Sequence, residues 1–322
     1  MNFLFCSAGR RCELLKDLRK SMGNAVKIVA ADASEYAPAL YFADKRYVVP
    51  GIDSPEYIPT LLRICREESI DAITTCIDPE IPILAKHRAC FEDLGVMVLC
   101  PAETTAALCL DKYEFSKKLS ELGLPCVPTY GSLEEVLSEI DAGRCSFPVF
   151  VKPRGGSGSV GARKVENGDA LALAFAADPT LIAQPYLGDA LDLDADVYVD
   201  TVSRQAVSAF SKKKLSTTIG GANKTVSFKD QALLELIKRL SSSMEFCGPM
   251  DVDFFKVGDE YLVSEVNPRF GGAYIHAFGA GVDFFKLIAN NVAGVANSPE
   301  FMNYDEGVYM LMYDSAVIGK LE

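Results

Sequence analysis

Glu265–Gly272 reads EVNPRFGG. Glu265 and Asn267 flank the apolar Val266, so on an extended chain their side chains fall on one face. Pro268 fixes the turn, and Arg269 follows it with a planar fork suited to a phosphate or a carboxylate. The stretch from Gly248, GPMDVDFFKVGDEYLVSEVNPRFGG, reads as a hairpin turning at VGDE. That turn sets Asp253 opposite Glu265 on the neighbouring strand. Two carboxylates and a carboxamide converging on one face repel each other unless a cation joins them. Hard oxygen donors without histidine or cysteine suit Mg²⁺, or Mn²⁺, bridging nucleotide phosphates. Asp251 shares the face of Asp253 and offers a weaker case for a second metal. A solvated acidic hairpin would account for the charges, but not for the run E-x-N-P-R.

Upstream, Val151–Ala162 reads VKPRGGSGSVGA. Lys152 stands at the end of a strand, where an ammonium can neutralise phosphate charge. Gly155, Gly156, Gly158 and Gly161 allow positive φ and close backbone approach, so the amides around Ser157 can turn toward phosphate oxygens. The spacing is not that of a GxxxxGK[ST] loop, and no clear helix follows as in a dinucleotide fingerprint. A plain surface turn would look the same, so the loop takes its meaning from the hairpin downstream.

Around these motifs the chain changes character once. NFLFCSAG, VKIVAAD, RYVVP, IDAITTC and VMVLCP read as short buried strands alternating with helical patterns. One of these helices is SPEYIPTLLRICREES, with Ser54 as its expected N-cap. Such alternation implies a doubly wound parallel sheet over about the first hundred residues. Thereafter DKYEFSKKLSELG and DQALLELIKRLSSSM are amphipathic helices, and LDADVYVDTVSRQAVSAFS is a pair of antiparallel strands. The second part is therefore α+β.

With 322 residues, 49 % of them hydrophobic, the chain can bury a sizeable core. A net charge of −12 argues against nucleic-acid or anionic-membrane partners. Ten scattered cysteines without a CxxC pair, and only two histidines, His87 and His276, argue against zinc. No run approaches the length of a membrane helix, and MNFLFCSAGRR does not read as a signal peptide. A cytoplasmic protein with reduced thiols is expected.

The glycine loop and EVNPR, in this order and at this separation, resemble the ATP-grasp superfamily of carboxylate–amine ligases. The likeness is greatest to the ATP-grasp halves of the carbamoyl-phosphate synthase large subunit, and it covers nearly the whole chain. It implies an N-terminal pre-ATP-grasp domain over 1–108 and a two-lobed ATP-grasp domain over 109–322. The small, flap-bearing lobe is expected at about 112–185 and the larger lobe at about 186–322. It implies ATP and Mg²⁺ as cofactors, activation of a carboxylate as an acylphosphate, and attack by an amine. Carried over residue by residue, Lys112 and Lys152 reach the nucleotide phosphates. Residues 154–161, with Gly155, Gly156, Ser157 and Gly158, form the flap. Gln184, Pro185, Tyr186 and Leu187 read adenine. Asp253, Glu265 and Asn267 bind the metal, and Arg269 is the substrate-phosphate clamp. Lys214 faces the transferred phosphate, with Lys213 as its competitor. The family's ribose glutamate is missing at its usual place, which is Leu191 here, and Asp192 is the substitute.

Anion-gripping candidates in the first domain are Ser7, Gly9, Arg10 and Arg11, after the first strand; a tight strand-to-helix turn with solvated arginines accounts for them equally well. Asp78 and Glu80, after the fourth, could bind an amine or cap the following segment. The resemblance implies small-molecule carboxylate and amine substrates and a possible homodimer. The alternatives are a nucleotide-binding module without turnover, or a carbamoyl-phosphate-synthase-type activity. The latter is disfavoured because one ATP-grasp unit is present, not two.

Overall fold

The computed structural model describes residues 1–156, 161–218 and 221–319. The first part is a five-stranded parallel sheet of β1 (Asn2–Cys6), β2 (Lys27–Asp32), β3 (Lys45–Val48), β4 (Ala72–Thr75) and β5 (Met97–Val98), in the order β3-β2-β1-β4-β5. The inner strands β1, β2 and β4 are buried on both faces because both are covered, whereas the edge strand β3 is largely exposed. Leu4, Val29 and Ile73 meet the helix Tyr57–Glu68 on one side. Phe3, Phe5 and Ile28 belong to a core that also contains Phe270, Tyr274, Phe284 and Phe285 from far along the chain. The first domain and the C-terminal helices therefore share one core.

A three-stranded antiparallel sheet follows: β6 (Val149–Pro153), β7 (Arg163–Val165) and β8 (Leu181–Pro185), in the order β7-β6-β8. Val149, Val151 and Ala183 pack it against Val136 and Leu171, which come from the helices Leu133–Asp141 and Gly168–Ala177.

The largest sheet is antiparallel and six-stranded: β9 (Leu191–Val199), β10 (Ala206–Thr218), β11 (Gly221–Ser227), β12 (Gly248–Val257), β13 (Glu260–Asn267) and β14 (Tyr309–Leu311), in the order β13-β12-β9-β10-β11-β14. Its two faces differ because side chains alternate along a strand. Leu193, Ala195, Val197, Val252 and Phe254 lie under the helix Gln231–Ser243, whose Leu233, Ile237 and Leu240 they contact. The opposite face carries the alternating aspartates of β9 and β12.

Two expectations need correcting. Ser54 does not cap the helix after β3. That helix begins at Tyr57 with no side-chain cap, and Ser54 heads a separate turn, accepting from the amides of Glu56 and Tyr57. The small sheet's own core starts near Tyr130, not at 112: Phe115 and Leu119 of the helix Lys112–Glu121 pack into the large sheet's core instead.

Candidate active site

The site is built by register. In β12–β13, Asp253 stands opposite Glu265 and Asp251 opposite Asn267. In β12–β9, Asp253 stands opposite Asp194 and Asp251 opposite Asp196. In β10–β9, Lys212 stands opposite Asp194. One sheet face therefore gathers Asp192, Asp194, Asp196, Asp251, Asp253, Glu265 and Asn267 with Lys212 and Lys214.

Lys214 pairs with Asp253 and lies 3.0 Å from Asp192. Lys213 is exposed on the opposite face, its ammonium 5.4 Å from the centre of the Phe228 ring. The pleat thus puts Lys214 on the carboxylate face and Lys213 on the other. Burial and the charges of Asp251 and Glu265 push the Asp253 carboxyl up to about 7, against the pull of Lys214. A divalent cation among Asp253, Glu265 and Asn267 would relieve that repulsion, and all three offer hard oxygens, so these residues fit Mg²⁺.

Lys112 opens its helix behind the N-cap Asp111, whose carboxylate accepts from the amides of Tyr113 and Glu114. Its ammonium donates to the Gly156 carbonyl at 2.5 Å and lies 3.7 Å from Glu265. It therefore joins the root of the glycine loop to the sheet. Gly156 has φ +89°, which only glycine adopts without strain. Ser157 and Gly158 lie outside the described residues. Arg154 at the loop's root is held by Asp111 (2.6–2.8 Å) and Glu114 (3.2 Å). Lys152 projects from β6 toward the same place; burial lowers its pKa, against the pull of Glu265. An ammonium so placed gains from an anion beside it. Gln184 stands opposite Phe150 on β8 and donates to Thr129 at 2.9 Å, next to Pro185 and the exposed Tyr186. Leu187 follows, half-buried, beyond the strand end.

Arg269 is brought to this face, but its fork is engaged. Its Nε and Nη2 lie 3.0 and 3.1 Å from the two oxygens of Asp78, and Nη1 lies 3.2 Å from Asp251. Asp251 is thus a partner of Arg269. An ammonium also sits beside these carboxylates: Lys212, fully buried, pairs with Asp196 and lies 3.2 Å from Asp194. Asp194, Asp196 and Asp251 offer oxygens within 4.8 Å of one another. Two of them leave no room for a side chain at Gly271, where a Cβ would lie 2.7 Å from Asp196 and 2.9 Å from Asp251.

In the first domain, Ser7 and Glu80 turn toward each other. Glu80 is fully buried and accepts from Ser7 (2.6 Å), Thr75 (2.5 Å) and Tyr57. It anchors the loop after β1 and has no free oxygen for an amine. The Gly9 amide donates to Asp32 at 2.8 Å. Arg11 reaches the Gly271 carbonyl at 2.9 Å, so it braces the two domains. Arg10 is exposed. The cleft between the domains is lined by Asp78, Leu110, Lys112, Gly156, Glu265 and Asn267, among others.

Lys212, Asp194 and Asp196, and the Asp78–Arg269 pair, escaped the sequence reading. The first three had a signal: aspartates at every second position of LDLDAD, matched by Lys212 and Lys214 two apart. The last had none, because 191 residues separate its members.

A parallel-sheet domain stands in front of two antiparallel sheets, and lysines from both of these sheets meet a carboxylate–carboxamide face. The chain belongs to the ATP-grasp family: residues 109–273 match the ATP-grasp domain, and residues 3–99 match the PylC-like N-terminal domain. It is 25 % identical over 264 residues to formate-dependent phosphoribosylglycinamide formyltransferase of Variovorax paradoxus, covering 76 % of this chain and 64 % of that one. It is 28 % identical over 250 residues to D-alanine–D-alanine ligase of Corynebacterium aurimucosum, covering 66 % and 70 %. The chain thus spans about two thirds of the length of these relatives. Among solved structures, the biotin carboxylase domain dimer of Hydrogenobacter thermophilus 2-oxoglutarate carboxylase, in complex with MgADP, ADP and bicarbonate, superposes with a TM-score of 0.75 at 18 % identity, over 96 % of this chain and 73 % of that one. N5-carboxyaminoimidazole synthetase from Staphylococcus aureus, complexed with ADP, gives 0.74 at 19 %, over 94 % and 79 %. Among the described residues no helix is long and apolar enough to cross a membrane.

Proposed function

We propose that this chain is an ATP-dependent carboxylate–amine ligase. The observation that carries the reading is the convergence of Lys112, Lys152 and Lys214 on the face formed by Asp253, Glu265 and Asn267. Lys112 and Lys152 hold the nucleotide phosphates, with Gly155, Gly156, Ser157 and Gly158 closing over them. Gln184, Pro185, Tyr186 and Leu187 line the adenine, and Asp192 takes the ribose. Mg²⁺ on Asp253, Glu265 and Asn267 would supply charge neutralisation at the phosphates. Arg269 holds the acid. The carboxylate oxygen attacks the γ-phosphorus as the bond to ADP breaks, with Lys214 beside the moving phosphoryl group. The amine then attacks the acyl carbon, loses a proton and displaces phosphate. Substrates are small molecules, the setting is cytoplasmic, and a homodimer is the expected assembly.

The second reading is a nucleotide-binding module without turnover. One observation favours it: Lys214 and Arg269 are both already paired with carboxylates of the chain. Phosphate release from MgATP separates the two. It is measured against a panel of carboxylates, amino acids and bicarbonate, with and without amines. Release that requires one acid and one amine, and that Glu265→Ala abolishes, supports the ligase. Full turnover in Glu265→Ala overturns the metal assignment. ATP binding with no acid-dependent release favours the module.

A further inference from the structure

We propose that Asp78 is a specificity residue whose carboxylate occupies the place at Arg269 that the carboxylate of the acid substrate takes. The inference rests on the reading of Arg269 as the acid clamp. Arginine recognises carboxylates side by side, through two parallel N–H donors. Here the Nε and Nη2 edge of Arg269 faces both oxygens of Asp78, at 3.0 and 3.1 Å. The remaining nitrogen, Nη1, is held from behind by Asp251 and by the Phe270 carbonyl at 3.1 Å. The edge built for a ligand is thus filled by an internal one.

Three features mark Asp78 as the partner that yields. It comes from the other domain, on the short turn Asp78–Glu80 after β4. That is the carboxyl end of the parallel sheet, where open α/β folds bind ligands. It lines the same cleft as Lys112, Gly156 and Glu265. The pair is also close without being well aligned: Asp78 Oδ1 and Arg269 Nε are both buried and neither makes a hydrogen bond, although they lie 3.0 Å apart. Unmet buried donors and acceptors are costly, so an anion lying in the guanidinium plane would gain what Asp78 does not supply. Asp251, by contrast, sits mid-strand in β12 with its other oxygen pressed toward Gly271. The consequence is selection by charge: an ionised carboxylate displaces Asp78, and a neutral amide or ester of the same shape does not.

The test uses the whole chain with acetate as probe. The Arg269 Nε–H resonance, identified by its loss in Arg269→Lys, is followed during titration with acetate and with acetamide. Acetate should shift it and acetamide should not. In Asp78→Asn, or in Asp78→Ser should the first variant fold poorly, acetate should bind at least tenfold more tightly. With the acid found in the substrate panel, KM should fall tenfold while kcat changes less. Equal or weaker acetate binding in both variants, or no acetate shift in the wild type, overturns the proposal. MgATP affinity measured on the same samples keeps the two readings apart: its loss strikes the nucleotide site, whereas its retention with unchanged acetate affinity strikes Asp78 alone.

Discussion

Lys212 is 0 % exposed, and its ammonium sits among carboxylates that are nearly as deeply buried. Burial alone would favour its neutral form, but Asp194 and Asp196 reverse that and raise its pKa. Removing one member of a buried ion cluster strands the rest, at a cost of about 3–5 kcal/mol. Lys212→Met should lose about that much stability in urea unfolding. Adding Asp196→Asn to Lys212→Met should recover part of the loss; a further additive loss would show that the residues do not act as a unit. This cluster was legible in part. The two-residue period of the aspartates is plain in the chain, but which lysine answers them depends on a register that no single strand reveals. The role of Ser7 was hidden for a similar reason: its hydroxyl goes to Glu80, on a turn that only the folded sheet brings near.

In β10 the alternation of side chains turns three consecutive lysines into three different things. Lys212 is a buried counter-ion, Lys213 covers Phe228 on the far side, and Lys214 faces Asp253. Lys214→Ala should reduce acid-dependent phosphate release by at least a hundredfold, the order of loss for one electrostatic group at a phosphoryl-transfer site. Lys213→Ala should leave release within about twofold and stability within about 0.5 kcal/mol, as at ordinary surface sites. Equal losses in both variants would mean that the pleat does not set the roles. The hairpin β12–β13 was the most legible element, because its turn and its alternating polar face lie within one short stretch. The N-cap of the helix after β3 was misplaced, because a serine before a proline starts a turn as readily as a helix.

At the scale of the molecule, His276 reports on the seam between the large sheet and the segment that closes it. Its Nε2 lies 3.1 Å from the Val308 carbonyl, which can only accept, so Nε2 carries the proton. Nδ1 then accepts from Thr225 at 2.7 Å. Burial, and the charge of Lys212 after it, lower the imidazole pKa from 6.5 to about 4. The folded state refuses a proton that the unfolded chain takes up. Its contribution is therefore present above the unfolded value and lost as pH falls toward 4, by about 3 kcal/mol. His276→Gln should flatten that part of the stability profile in urea unfolding. An unchanged slope would assign the loss to other groups.

The two-domain organisation read from the sequence is present in the topology, but the packing divides the molecule differently. Phe3 and Phe5 near the start share a core with Phe284 and Phe285 near the end, and Arg11 is tied to the backbone of Gly271. The small sheet, from about Tyr130 to Ala183, has a core to itself, and so does the helix Tyr57–Glu68 side of the parallel sheet. The parallel-sheet domain and the large sheet are thus joined through a common core, while the small sheet is not part of it. Lys152 stands on the small sheet, whereas Asp253 and Glu265 stand on the large sheet and Arg269 directly follows it. Any stroke that tightens the grip on a phosphate is thus expected to leave the Arg269–Asp251 side of the cleft in place, so an acid seated there would not be disturbed while the nucleotide is being clamped.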